Sequence, residues 1–158
     1  MNTVDQLRQR VLAARERLHR IPATGPGELG APDPATGERW HRGNVLGHVA
    51  EMVPFWADQA RAVMLGATEM GRDQPGTERR RQGIERGAVM TESELRYQIE
   101  AGLDELDRLL LTVKVEDLER PVLYHRRDGD ETSTLGGLVD QLLVGHLEGH
   151  LDQLESLT

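Results

Sequence analysis

Apolar residues recur at intervals of three and four along four segments of the chain, a spacing that only one face of an α-helix can bury together. Val4, Leu7, Val11, Ala14, Leu18 and Ile21 mark the first segment, from about Thr3 to Arg20. The second runs from about Arg42 to Met70, with Val45, His48, Met52, Phe55, Gln59 and Val63 on its inner stripe. Pro54 lies inside it and has no N–H to offer the carbonyl of Ala50, so a kink is expected there. The third opens at Thr91, which forms a T-x-x-E capping-box pattern with Glu94. Its buried stripe reads Leu95, Ile99, Leu103 or Gly102, Leu106, Leu110 and Val113. The fourth begins near Ser133 or Thr134 and runs to the C-terminus through Leu135, Val139, Leu142, His146, His150, Gln153 and Leu157.

The intervening stretches break regular structure. Pro22 to Gly37 holds four prolines and four glycines and must be a long crossover loop. Gly71 to Met90 is polar and reads as irregular, with room for a short helical turn. Lys114 to Thr132 contains Pro121 and the turn Asp128-Gly129; Pro121 to Tyr124 could be extended, but nothing nearby is an obvious partner. Four amphipathic helices without a convincing strand predict an all-α fold: one domain, residues 1–158, an antiparallel four-helix bundle with long loops.

Composition narrows the chemistry. With 27 acidic against 19 basic residues, the net charge of −8 argues against a non-specific nucleic-acid binder and against docking on anionic lipid. There is no apolar signal-peptide core in Met1–Arg20 and no stretch of the ~20 apolar residues that would cross a bilayer. A cytoplasmic protein with neither a nucleic-acid nor a membrane partner is expected. The chain has no cysteine, which excludes disulfides, thiolate ligands and a cysteine nucleophile. His, Asp and Glu are the residues left to bind a metal.

His146 and His150 are four residues apart, so on a helix their rings can point at one ion. That spacing alone suits equally a pair in which each ring bonds a carbonyl or carboxylate. His48 tips the balance, because it falls on the inner stripe of the second helix between Val45 and Met52. Three inward histidines on two helices point to a divalent metal site at His48, His146 and His150. His19, His41 and His125 read as surface or loop residues. His125 with Arg126 and Arg127 would hold an anionic substrate if that connection folds over the site. Glu51 could orient a ligand or act as a base, but it reads first as a residue solvating the helix edge. Gln153, one turn beyond His150, suits either a hydrogen bond to that ring or a plain packing contact. Trp40 and Trp56 read as packing anchors, and Arg79–Arg81 as a solvated run.

Three pieces of sequence carry a family resemblance: Trp40-x4-Val45-Leu46-Gly47-His48, Thr134-Leu135-Gly136-Gly137-Leu138, and His146-x3-His150-x2-Gln153-Leu154. Together they resemble the DinB-like family of metalloenzymes. This is the superfamily of bacillithiol and mycothiol S-transferases and of the metal-binding domains of mycothiol-dependent maleylpyruvate isomerase. The resemblance implies a divalent ion held by His48, His146 and His150. The sequence departs from the family pattern in two places. His41 stands where a Ser or Thr helix cap is usual, and Leu147-Glu148-Gly149 separates the paired histidines where an acidic neighbour is common.

Three protein ligands leave coordination positions open, as in catalytic sites. The resemblance then implies a metal-dependent thiol S-transferase acting with a small-molecule thiol and an electrophilic substrate. The basic residues are 18 arginines and one lysine, a usage that suggests a GC-rich, actinobacterial source and hence mycothiol. Zn or Ni is the expected ion. A metal-dependent hydrolase of a small ester or amide, and a non-enzymatic metal- or ligand-binding bundle, remain as alternatives; homodimerisation is left open.

Overall fold

The computed structural model describes residues 3–25 and 27–157. Met1, Asn2, Pro26 and Thr158, including both ends of the expected 1–158 domain, lie outside the described residues. The elements in chain order are α1 (Thr3–Arg20), α2 (Arg42–Met64), β1 (Glu69–Gly71), α3 (Gln74–Arg86), α4 (Glu92–Thr112), α5 (Val115–Leu118), β2 (Pro121–Arg126) and β3 (Gly129–Thr134). A final helix then starts as α6 (Leu135–Leu138), widens into a π-helical segment (Val139–Val144) and ends as α7 (Gly145–Ser156).

Four long helices, α1, α2, α4 and α7, form the all-α bundle. Each of α1 and α2 packs on both α4 and α7, so α1 and α2 occupy one diagonal and α4 and α7 the other. Ion pairs Arg8–Asp107 and Arg15–Asp104 show that α1 runs antiparallel to α4. Arg10–Glu148 and Arg17–Asp152 show that it runs parallel to α7. Although α2 and α4 are neighbours, the connections from α1 to α2 and from α4 to α7 cross a diagonal of the bundle, and a tight turn cannot bridge that distance. This is the physical reason for those two long connections.

The α1 stripe is buried as its periodicity predicts, from Val4 to Leu18. Helix α4 starts with the capping box of Thr91 and Glu94 and buries Leu95, Ile99, Gly102, Leu103, Leu106, Leu109 and Leu110. Helix α2 differs from its one-sided reading. It is buried nearly all round, from Arg42 to Val63, because α4, α7 and α3 surround it. It continues through Pro54 but stops at Met64, short of the expected Met70. Its cap is His41: the ring Nδ1 accepts from the Asn44 N–H, and Asn44 Oδ1 accepts from the His41 N–H. An imidazole thus does the work of the usual hydroxyl.

Two stretches expected to be irregular are ordered elements. Within Gly71–Met90 lies the 13-residue helix α3, capped by Asp73 and with Pro75 in its first turn. Lys114–Thr132 holds α5 and a β-hairpin, and the extended piece at Pro121 has partners on both sides. Strand β2 pairs antiparallel with β3 (Tyr124 opposite Glu131) and parallel with β1 (Met70 opposite Tyr124). Buried Met70 and Val122 anchor this small sheet to the bundle.

Helix α3 reaches α2 through paired glycines. A Cβ on Gly87 would lie 1.9 Å from the Gly43 carbonyl oxygen, and one on Gly47 2.3 Å from that of Gly83. Only glycine permits backbones that close. Asn44 Nδ2 also donates to Ile84 O at 2.9 Å. The contact lies beside His48, so it sets what α3 can project over that residue.

Candidate metal centre

Leu142, Leu143 and Val144 are three consecutive buried residues, more than one α-helical stripe can bury. The π turn resolves this: its wider turn, closed by Gly145 N–H to Asp140 O, turns all three inward. Beyond it, Leu147, Leu151 and Leu154 take the core face of α7. His146, His150 and Gln153 form the adjacent stripe and face a cavity. The stripe read from sequence is thus half right: the histidines point inward, but beside the leucine core rather than as part of it.

His48 comes to the same place from α2. The three rings stand 4.6–5.3 Å apart between centroids. One nitrogen from each lies within 4.8 Å of the others, close to the ~3–4 Å between imidazoles that share one ion. Hydrogen bonds fix two of the rings. His146 Nδ1–H donates to Leu142 O at 3.3 Å, and His150 Nδ1–H to Gln153 Oε1 at 2.9 Å. Each leaves Nε2 with its lone pair, the form a metal requires.

Two buried ring nitrogens, His48 Nδ1 and His150 Nε2, have no hydrogen-bond partner. An unpaired buried polar atom costs about 1–3 kcal/mol, so the cluster is incomplete without a further group. Burial pushes the His146 pKa down to about 4, reinforced by the neighbouring His150. Burial, then His150 and His146, lowers that of His48 still further. His150 is also lowered, chiefly by burial, with Gln153 working against it. All three are neutral at pH 7, which is the ligating state. A set of three neutral imidazoles, two of them with an unpaired buried nitrogen, fits a divalent ion and could hold one.

The cluster lies between two cavities. One, of about 340 Å³, is walled by Ala31, Pro32, Pro34, Thr36, Glu38 and Trp40 from the first crossover. There Asp33 Oδ1 accepts from the N–H groups of Ala35 and Thr36, which shapes the loop and holds the Asp33 carboxyl below the usual range. The Trp40 ring lies 5.1 Å from His48 and 5.8 Å from His150. The other, of about 320 Å³, lies between α3 and the hairpin, against Trp56, Arg72, Arg80, Tyr124, Arg126 and Arg127. Both long connections therefore border the centre.

Residues 3–154 match the family model of the DinB superfamily. The chain belongs to the DinB superfamily. No curated protein matches it. Two solved structures share the fold of this DinB-superfamily chain. Mycothiol-dependent maleylpyruvate isomerase aligns with TM-score 0.70 and 18% identity, over 96% of this chain and 59% of that one. A histidine-to-alanine mutant of that enzyme aligns with TM-score 0.70 and 17% identity, over the same shares. At this identity the likeness concerns the fold. The chain spans about three-fifths of the length of those structures.

Other expectations for this DinB-superfamily protein resolve individually. Glu51 does not solvate a helix edge. It is buried and takes a two-pronged ion pair from Arg72, at 2.6 and 3.1 Å. Glu148, between the paired histidines, turns outward to Arg10 at 2.5 Å. His19 pairs with Glu100 at the surface. His125 is held by Glu69 and Asp130, yet lines the cavity beside the hairpin. Trp40 and Trp56 are buried anchors and cavity walls at once. Sequence reasoning missed Arg80. Its guanidinium lines both cavities, sits 5.6 Å over Trp40 and pairs with Glu38 at 2.9 Å. Burial raises the Glu38 pKa, but Arg80 outweighs it and holds the carboxyl below the ordinary range. The signal was the glycine spacing Gly83-x3-Gly87 opposite Gly43-x3-Gly47, which faces Arg80 inward while Arg81 pairs with Glu78 and Glu85 outside.

Proposed function

We propose that this chain is a divalent-metal enzyme with His48, His146 and His150 as ligands, transferring a low-molecular-weight thiol to an electrophile. One observation carries the reading: three imidazoles converge at a cavity wall with buried ring nitrogens left unpaired. An ion held there, Zn or Ni by the imidazole donor set, would supply the Lewis acidity that keeps a thiol as thiolate at neutral pH.

The chain's own part follows from its residues. It has no cysteine, so the thiol comes from outside. Gln153 and the Leu142 carbonyl hold the His150 and His146 rings in the tautomer that leaves Nε2 free. Trp40 and the Pro32–Pro34 loop wall the cavity on one side of the centre. The new bond joins the thiol sulfur to the electrophilic carbon. The leaving group departs with its electron pair, and the thiol proton goes to solvent. The similar fold of a mycothiol-dependent enzyme supports a thiol cosubstrate, with mycothiol the first to try.

Elemental analysis and turnover test this together. About one equivalent of divalent ion is expected, with thiol transfer lost on chelation and restored by Zn or Ni. His146→Ala should lower metal affinity at least ~100-fold, since even residues that merely orient ligands cost 10–100-fold. It should also remove the melting-temperature rise that metal gives the parent. A metal-free protein whose melting temperature ignores both metal and His146→Ala would sink the proposal. Turnover of an ester by water, with no thiol supporting transfer, would replace it with a hydrolase.

A further inference from the structure

The two cavities flanking the histidines differ in charge. The crossover cavity carries the carboxylates of Asp33 and Glu38. The hairpin cavity has Arg72, Arg80, His125, Arg126 and Arg127 in its wall, and no carboxylate among the described residues. Most of these cations are engaged. Arg72 pairs with Glu51, Arg80 with Glu38, Arg126 with Asp128 and Glu131, and His125 with Glu69 and Asp130. Those acids lie outside the cavity wall. Arg127, at the hairpin turn, has no hydrogen bond or ion pair among the described residues.

We infer that the hairpin cavity binds a small organic carboxylate, and that this substrate reaches the histidines from the side opposite the Trp40 cavity. Guanidinium forks match a planar carboxylate in two-point geometry, and Arg127 has its fork unspent. Trp56, Tyr124 and Leu142 give the same cavity an apolar wall, which suits a molecule with a carbon body rather than a bare inorganic anion. Its volume of about 320 Å³ is at the small end of ligand sites. His48 and His146 close its inner end, so a carboxylate anchored at the hairpin points its other end at the centre.

The inference uses the proposed metal reading only to name the histidines as the reacting centre; the binding itself requires neither metal nor thiol. The test is therefore run on the chelated protein, with succinate and inorganic phosphate as probes. Binding is followed by calorimetry and by amide shifts at low ionic strength. Succinate should bind saturably and shift Tyr124, Arg127 and Trp56. Arg127→Glu should weaken it at least tenfold, and Arg127→Gln by a smaller factor. Arg81→Glu makes the same change in net charge on the outer face of α3 and should leave affinity unchanged. Equal affinity in the Arg127 variants, an equal loss in Arg81→Glu, or tighter binding of phosphate than of succinate would each overturn the assignment. If succinate binds as expected and thiol transfer fails, the proposed function falls and the anion site stands.

Discussion

The four-helix bundle and the outer layer of α3 and the sheet are held by different means. The bundle buries long apolar stripes: Leu103, Leu106 and Leu110 on α4 and Leu147 and Leu151 on α7 are each at most 1% exposed. The outer layer has little of this. Helix α3 buries Ile84 as its one large apolar residue and otherwise leans on glycine backbone, while β3 is polar throughout. The centre lies at their junction. Histidines come from the well-packed part and cations from the lightly packed part, so ligand geometry is set by the core and substrate contacts by a layer that can vary.

The largest effect should follow from opening the bundle. Leu106→Ala is expected to cost 2–5 kcal/mol, read by urea denaturation, and to lower protection from hydrogen exchange across all four helices. A local loss confined to α4 would break the distinction between the two regions.

The acid response comes next, and its sign differs between the regions. In the chelated protein His146 has a folded pKa of about 4 against ~6.5 unfolded. Its contribution is fully present above pH ~6.5 and is lost as pH falls towards 4, on the order of 3 kcal/mol. His146→Gln should flatten the stability profile over that window; an unchanged slope would show that the ring is not desolvated. His125 behaves oppositely. Asp130 first, then Glu69, raises its pKa, so whatever it contributes is present below ~6.5 and lost as pH rises through the raised value. Histidine NMR should show His125 titrating above His146.

Gly87→Ala should cost about 1–3 kcal/mol by overpacking, because its Cβ would meet the Gly43 carbonyl. Faster exchange should be confined to α3 and its neighbours, leaving α1 and α4 protected. Smallest of all is Arg81→Ala, which removes exposed pairs with Glu78 and Glu85. It should move stability by no more than ~0.5–1 kcal/mol, within the scatter of a thermal melt.

The same contrast explains what the sequence disclosed. Stripes such as Val4–Leu18 and Leu95–Leu110 are legible because burial on one face imposes a period. The histidines were legible for the same reason, together with the capping signal at Thr91. Helix α3 was not: Gln-Pro-Gly-Thr-Glu-Arg-Arg-Arg has almost no apolar pattern, and its attachment through glycine leaves no hydrophobic mark. The hairpin was hidden because Gly-Asp-Glu-Thr-Ser-Thr shows no alternation, and its pairing depends on the three-residue β1 more than 50 positions away in sequence. The π turn was invisible too, since three adjacent buried residues do not announce a change of hydrogen-bond register.

Because backbone meets backbone at the glycine contact, the seat for α3 reads almost nothing of that helix's side chains. A segment of quite different sequence, keeping glycine at 83 and 87 and an apolar residue at 84, would dock in the same place. Positions 77 and 80, which look into the cavities, are thus free to be rewritten while the histidine cluster stays where the core puts it. The scaffold separates where chemistry happens from what it happens to, and new selectivity can be sampled one residue at a time without refolding the rest.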